Sequence, residues 1–182
     1  MMAVSLRIVS LLALAGPLTA TMVPRMSLEE ITERSERIVH GRCLRTWSAW
    51  DAERQFIWTH AEIQVADTLK GSRSATVVVS EIGGIVGDVG LMVDGMPRYQ
   101  PGEEVVVFLF RVPNGLWRSR GVGQGKYEIR GGRVRADLSG IALVEPAGVT
   151  ITAVPSLDGA TIAEFKSRIR GLLATRPAGG QR

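Results

Sequence analysis

The chain has 182 residues, 45% of them hydrophobic and 22% charged, with a formal net charge of +4 and a single cysteine. That length suits one ordinary domain with a real core, not two. One cysteine excludes an intramolecular disulfide and a multi-cysteine zinc site, and so mild a basic excess does not by itself imply nucleic acid.

Residues 1–20 carry the marks of an export signal. Arg7 supplies a positive start, residues 8–15 (IVSLLALA) an apolar run, and Leu18-Thr19-Ala20 a small-residue cleavage site, with Ala13-Leu14-Ala15 as the alternative. The run is too short for a transmembrane helix and lacks a stop-transfer flank. The expectation is a chain without a transmembrane segment after cleavage, periplasmic or secreted. Residues 21–174 then make a single domain and 175–182 a flexible tail.

Within the domain, residues 22–26 read as a short linker. Ser27 and Glu30 form a capping box, and Leu28, Ile31, Ser35 and Ile38 fall at helical spacing, predicting a short helix over 28–37. The period then changes to alternation, with strands over 38–47 and 56–69 joined by the polar turn Asp51-Ala52-Glu53-Arg54, an antiparallel pair in which Gly41 suggests a bulge. Residues 76–80 (TVVVS) make a compact buried strand. A long segment, 83–102, follows, with six glycines and two prolines. Residues 104–111 (EVVVFLFR) read as a central strand, followed by shorter strands over 116–122 and 126–130.

Gly131-Gly132 is a two-residue hairpin turn requiring positive φ. Counting outward sets Ile129 against Val134, Tyr127 against Ala136, Glu128 against Arg135 and Lys126 against Asp137, so that apolar pairs share one face and opposite charges the other. Thr161 and Glu164 form a second capping box, before the apolar stripe Ile162, Phe165, Ile169, Leu172 and Leu173 of a C-terminal helix. The fold class expected is mainly β with flanking helices (α+β): a small antiparallel OB-like barrel or curled sheet, with a sandwich as second choice.

Five runs carry a resemblance: Arg37 to Gly41 (RIVHG), Trp50-Asp51 with Ile57-Trp58-Thr59, Leu69-Lys70-Gly71, Gly83-Gly84 with Gly87, and Pro101-Gly102-Glu103-Glu104-Val105 before VFLF. Together, over roughly residues 28–130, they resemble a mostly uncharacterised group of exported bacterial β-barrel proteins, some carrying this domain beside a protease or an anchoring tail. The resemblance implies a fold and a compartment and no known activity. At the level of architecture the chain is also similar to the netrin-like modules of metalloprotease inhibitors. Those use an N-terminal cysteine held by disulfides, whereas here position 21 is Thr21 and the cysteine is Cys43, so that mechanism does not transfer.

Two surfaces are candidates for binding. Trp47, Trp50 and Trp58 gather around the first hairpin, where they suit a sugar or a protein partner; a small core under the turn, or a cross-strand pair pinning the hairpin, explains the same spacing. In the 83–102 segment, Gly83 and Gly84 let backbone approach a ligand, and Asp88, Asp94 and Glu81 offer oxygen ligands. The spacing matches neither an EF-hand nor a phosphate loop, so turns or partner contacts are preferred and no metal or cofactor is assigned. The basic run 111–135, near Trp117 and Tyr127, suits an anionic envelope polymer or a solvated face better than nucleic acid, given export and the charge pairs of the hairpin. His40 and His60 lack metal spacing, Ser80 and Ser119 lack a nucleophile-elbow context, and Cys43 sits in an apolar stretch as a buried inert thiol. No catalytic residue is assigned. The expectation is an exported non-catalytic domain that binds a protein or envelope component. The alternatives are an inhibitor-like regulator of an extracellular hydrolase and a structural domain without a discrete ligand.

Overall fold

The structure is a computed structural model that describes residues 21–144 and 157–175. The export signal, most of the Gly/Pro-rich return before the last helix, and the tail from 176 lie outside the described residues. In chain order the elements are β1 (Thr21–Pro24), α1 (Leu28–Arg34), β2 (Arg37–Trp50), β3 (Ile57–Lys70), β4 (Thr76–Ile82), β5 (Gly84–Val86), β6 (Val89–Leu91), β7 (Glu104–Arg111), β8 (Trp117–Ser119), β9 (Lys126–Arg130), β10 (Arg133–Ala136), β11 (Ile141–Val144) and α2 (Ile162–Ala174). The protein is mostly β, built on a seven-stranded sheet in the order β10-β9-β7-β2-β3-β4-β8. The sheet does not close into a barrel, which corrects that part of the expectation. β8 runs antiparallel to β7 over three residue pairs and touches β4 at one parallel pair, Val79 with Trp117.

The sheet has two apolar faces, and β7 shows why its sequence is nearly continuous in apolar residues. Val105, Val107 and Leu109 enter one core with Val39, Cys43, Ala61, Ile63, Val77 and Val79. Val106 and Phe108 enter the other, with Ile38, Ile129, Val134, and Ile31, Phe165 and Ile169 from the two helices. A strand covered on both sides has no polar face to show. Each of these large side chains contributes roughly 1.5–3 kcal/mol by leaving water.

Both capping boxes form: Glu30 N–H donates to Ser27 Oγ at 3.1 Å and Glu164 N–H to Thr161 Oγ1 at 3.2 Å, each answered by the carboxylate. The first helix, however, stops at Arg34 rather than running to 37, and a strand precedes it. Ser35 turns extended (ψ 137°), with its N–H and hydroxyl on the Ile31 carbonyl, and the next amide, Glu36 N–H, goes to Leu109 O at 2.8 Å. The sheet claims the backbone before the helical pattern ends, and Ile38 becomes a buried strand residue. Residues 22–26, read as a linker, instead largely form β1, which pairs in parallel with β11.

β2 and β3 pair antiparallel, with register shifts at Ile38/Val39, His40/Gly41 and Cys43/Arg45. Gly41 belongs at its shift: a Cβ there would lie 2.2 Å from the Gln64 carbonyl oxygen. The β9–β10 hairpin takes the predicted register from Arg130–Arg133 to Tyr127–Ala136, with Gly131 and Gly132 at φ 57° and 73°. Its charges are arranged differently from the expectation. Lys126 is 1% exposed, and its ammonium donates to Glu103 at 2.6 Å, to Glu128 at 3.3 Å and to the Arg98 carbonyl. Glu128 pairs with Lys126 and Arg130 rather than Arg135. A long-range turn, invisible in the local alternation, supplies the buried lysine with its counter-charge.

Candidate functional site

The far ends of β2 and β3 meet the β5–β6 hairpin, and both surfaces picked from the sequence lie in this part of the molecule. The pairing sets Trp47 against His60, Ala49 against Trp58 and Trp50 against Ile57. By alternation Trp47 and Trp58 share the outer face, and Trp50 points to the opposite one with Ser48. No two of the three tryptophans face each other across the strands, so the cross-strand tryptophan pair is not formed.

The two outer rings are engaged by neighbours. Trp47 stacks on His60, with centroids 5.2 Å apart and planes 28° apart, and the Arg45 guanidinium lies 5.0 Å from its centroid. Arg45 is held by Glu62 at 2.7 Å. Trp58 carries the Arg118 guanidinium at 5.5 Å, which also reaches the buried Glu81. These contacts make Trp58 part of the sheet's own packing and leave Trp47, 38% exposed, as the accessible member.

The 83–102 segment is a hairpin followed by a covering run rather than one long loop. Gly83 (φ 119°) and Gly84 (φ 131°) bring its backbone onto the sheet. Gly83 N–H donates to Ile57 O at 2.8 Å, and Thr59 Oγ1 donates to Gly83 O at 2.6 Å. A Cβ on Gly84 would lie 2.3 Å from Thr59 Oγ1 and 2.4 Å from Ser48 Oγ. The close backbone approach expected of these glycines is therefore to the protein's own hydroxyl pair. Further on, Tyr99 is buried with its hydroxyl 2.8 Å from Ser119 Oγ, closing the end of the first core.

The carboxylates of this region are not gathered. Asp88 and Asp94 are exposed, whereas Glu81 is buried and accepts Ser119 N–H at 2.7 Å. Among the described residues no group of three or more His, Cys, Asp or Glu side chains is arranged to hold a metal ion. Burial pushes the Glu81 carboxyl up, partly offset by Ser119 and Arg118.

Alternation alone did not show that His60 and Ser80 meet. Their β3–β4 register pairs them, with Nδ1 2.8 Å from Oγ. A serine beside a histidine has the outline of a nucleophile and base, but Ser80 is 0% exposed, which closes it to any substrate. Burial also lowers the His60 pKa and raises that of the Cys43 thiol, and neither shift activates a nucleophile. His40 stands apart from His60, opposite Asp67, and hydrogen-bonds Glu104 at 2.7 Å.

The basic run is dispersed rather than displayed. Arg111 lies over Trp117, Arg120 over Phe110 and Arg118 over Trp58, while Lys126 is buried.

What the sequence reading passed over is the apolar character of the hairpin. Ile85 is 72% and Met92 74% exposed, with Val89 and Phe56 also outside. Phe56 precedes Ile57, whose carbonyl anchors Gly83, so these side chains belong to one end of the molecule. The run Ile85-Val86 and Val89 in so short a ribbon, unable to bury both faces, was the available signal. Among the described residues no helix is long and apolar enough to cross a membrane. No protein-family model, curated protein or solved structure matches the chain.

Proposed function

We propose that the chain is an exported, non-catalytic binding domain that contacts a protein of the cell envelope or exterior through the β5–β6 hairpin and the adjoining ends of β2 and β3. One observation carries this reading: Ile85, Val89, Met92 and Phe56 stand exposed at one end of a domain whose other large apolar side chains, apart from the scattered Met22, Leu44, Trp47 and Val78, lie in or against two cores. Apolar patches kept at a surface mark interaction sites. In this reading Ile85 and Met92 form the centre of the contact, Trp47 and Asp88 its margin, and Gly83 and Gly84 the mount that fixes the hairpin. Trp50 and Trp58 belong to the supporting sheet. Export rests on Arg7, the 8–15 apolar run and Leu18-Thr19-Ala20.

The same proposal places the sheet among OB-like, netrin-like arrangements. Support comes from the pairings β2–β3, β3–β4, β4–β8, β8–β7 and β7–β2, with one weak parallel join, as in a five-stranded, partly open Greek-key barrel.

The test is site-specific photo-crosslinking in the exporting host, with the reactive side chain at position 85 and, as control, at the exposed position 135 of β10. The expected result is a discrete adduct from position 85 only, lost when Val89 and Met92 are both changed to Asp. No adduct at 85, or the same adducts from both positions, overturns the assignment.

A further inference from the structure

The opposite end of β2 holds a charge that meets no carboxylate among the described residues. Arg37, its first residue, is 5% exposed. The chain leaving β3 turns back over it at Gly71 (φ 84°), so closely that a Cβ there would lie 3.3 Å from Arg37 Cγ and 2.7 Å from the Glu36 carbonyl oxygen. Among the described residues one hydrogen bond meets the guanidinium: Nη2 donates to Ser74 Oγ at 2.6 Å, and that hydroxyl donates onward to the Thr76 carbonyl. Nε is buried with no acceptor among the described residues. The neighbouring acid, Glu36, is engaged elsewhere, its carboxylate accepting Arg111 N–H at 3.0 Å.

Buried cations in proteins are almost always paired, because an uncompensated buried charge is strongly destabilising. Desolvation lowers the Arg37 pKa, in keeping with a cation that lacks a partner. The surroundings add further positive charge. Arg73 is exposed in the same turn, and Lys70 precedes it with its ammonium on the Thr32 and Glu33 carbonyls. The turn Gly71-Ser72-Arg73-Ser74 thus combines a fixed guanidinium, a second cation and exposed serines. Paired guanidinium N–H donors match the oxygen spacing of phosphate, sulfate and carboxylate.

We propose that Arg37 and the 71–74 turn form a binding site for an oxyanion, phosphate or sulfate in kind, either as the free ion or as a group on an anionic polymer. The site stands at the other end of β2 from the hairpin contact and does not depend on it.

The experiment compares thermal unfolding of the purified protein and of Arg37→Met in inorganic phosphate, in dextran sulfate, and in chloride at matched ionic strength. At about a hundred times the dissociation constant the wild type should gain roughly 5–10 °C over chloride, saturably, and Arg37→Met should lose that gain. Protection by phosphate assigns the site to the free ion. Protection by dextran sulfate alone, equally lost in Arg37→Met, assigns it to a polymer-borne group. Protection unchanged by the substitution, or none from either probe, overturns the proposal. Should Arg37→Met fail to fold, the arginine Nε–H spectrum of the wild type decides. One signal moving saturably with phosphate supports the site, and all signals drifting together refute it.

Discussion

The two ends of β2 differ in how they are covered. From Arg37 to Val39 every residue is buried, because one face lies on the first core and the other under α1 and α2. From Trp47 to Trp50 no residue is fully buried, and the outer face is finished by stacked pairs such as Arg45–Trp47–His60. The covered end is held by displaced water. The open end is held by polar and aromatic contacts that water can compete with, and the hairpin beside it leaves apolar side chains exposed. The covered end thus contributes most of the stability of this strand, and the open end contributes most of its exposed surface.

The comparison predicts unequal responses to truncation. Phe108 is fully buried against Tyr127 and Phe165, with centroids 5.7 and 6.3 Å away. Phe108→Ala should remove about 3–5 kcal/mol of unfolding free energy in urea titration. Trp47→Ala at the open end should remove less than about 1 kcal/mol, in the range of surface changes. Equal losses would mean that the open end is as integral to the fold as the covered one.

Two glycines sharpen the contrast with smaller effects. Gly41→Ala places its Cβ against the Gln64 backbone, which cannot yield without undoing the β2–β3 register. A loss of about 1–3 kcal/mol is expected, with chemical-shift changes along both strands. Gly84→Ala meets two hydroxyls at positive φ, so the hairpin should lift while the cores remain. Crosslinking from position 85 should then fall while the melt stays cooperative, at a cost of about 1–2 kcal/mol.

Legibility in the sequence followed the range of the interactions. Both capping boxes and the Gly131-Gly132 register were readable because their causes lie within a few residues. β1 was not, since its partner β11 begins at Ile141 and neither strand alternates clearly. The burial of Lys126, set opposite Asp137 by the hairpin count, was not legible because the turn carrying Glu103 lies outside that hairpin. At the candidate site the tryptophans were legible as residues but not as a surface. The odd spacing of Trp47 and Trp50 sets them on opposite faces, but which of them shares a face with Trp58 depends on the hairpin register, Ala49 with Trp58 and Trp50 with Ile57, which the residue types of the turn do not fix. The Arg37 turn was missed because nothing in a strand sequence tells that a charged first residue will be roofed by the chain 34 positions later.

The smallest effect tests whether charge helps fasten the covered end. Asp67 on β3 accepts from Lys166 at 2.5 Å and from Arg170 at 2.7 Å, tying α2 to the sheet. The Lys166 hydrogen bond, ahead of the opposing effect of burial and with further help from both cations, holds the Asp67 carboxyl below its ordinary value of 3.8. The folded chain therefore binds this proton less tightly than the unfolded chain. The resulting stability is fully present above pH 3.8 and is lost as pH falls through the lowered folded value. Asp67→Asn should cost less than about 1 kcal/mol at neutral pH, since Arg170 is largely exposed and the pair is partly screened. The gap to wild type should shrink steadily on acidification below pH 3.8 and vanish once Asp67 is protonated in both states. A gap that persists at the acid end would mean that the carboxylate's charge is not what holds α2, and that the apolar stripe of Phe165 and Ile169 does so unaided.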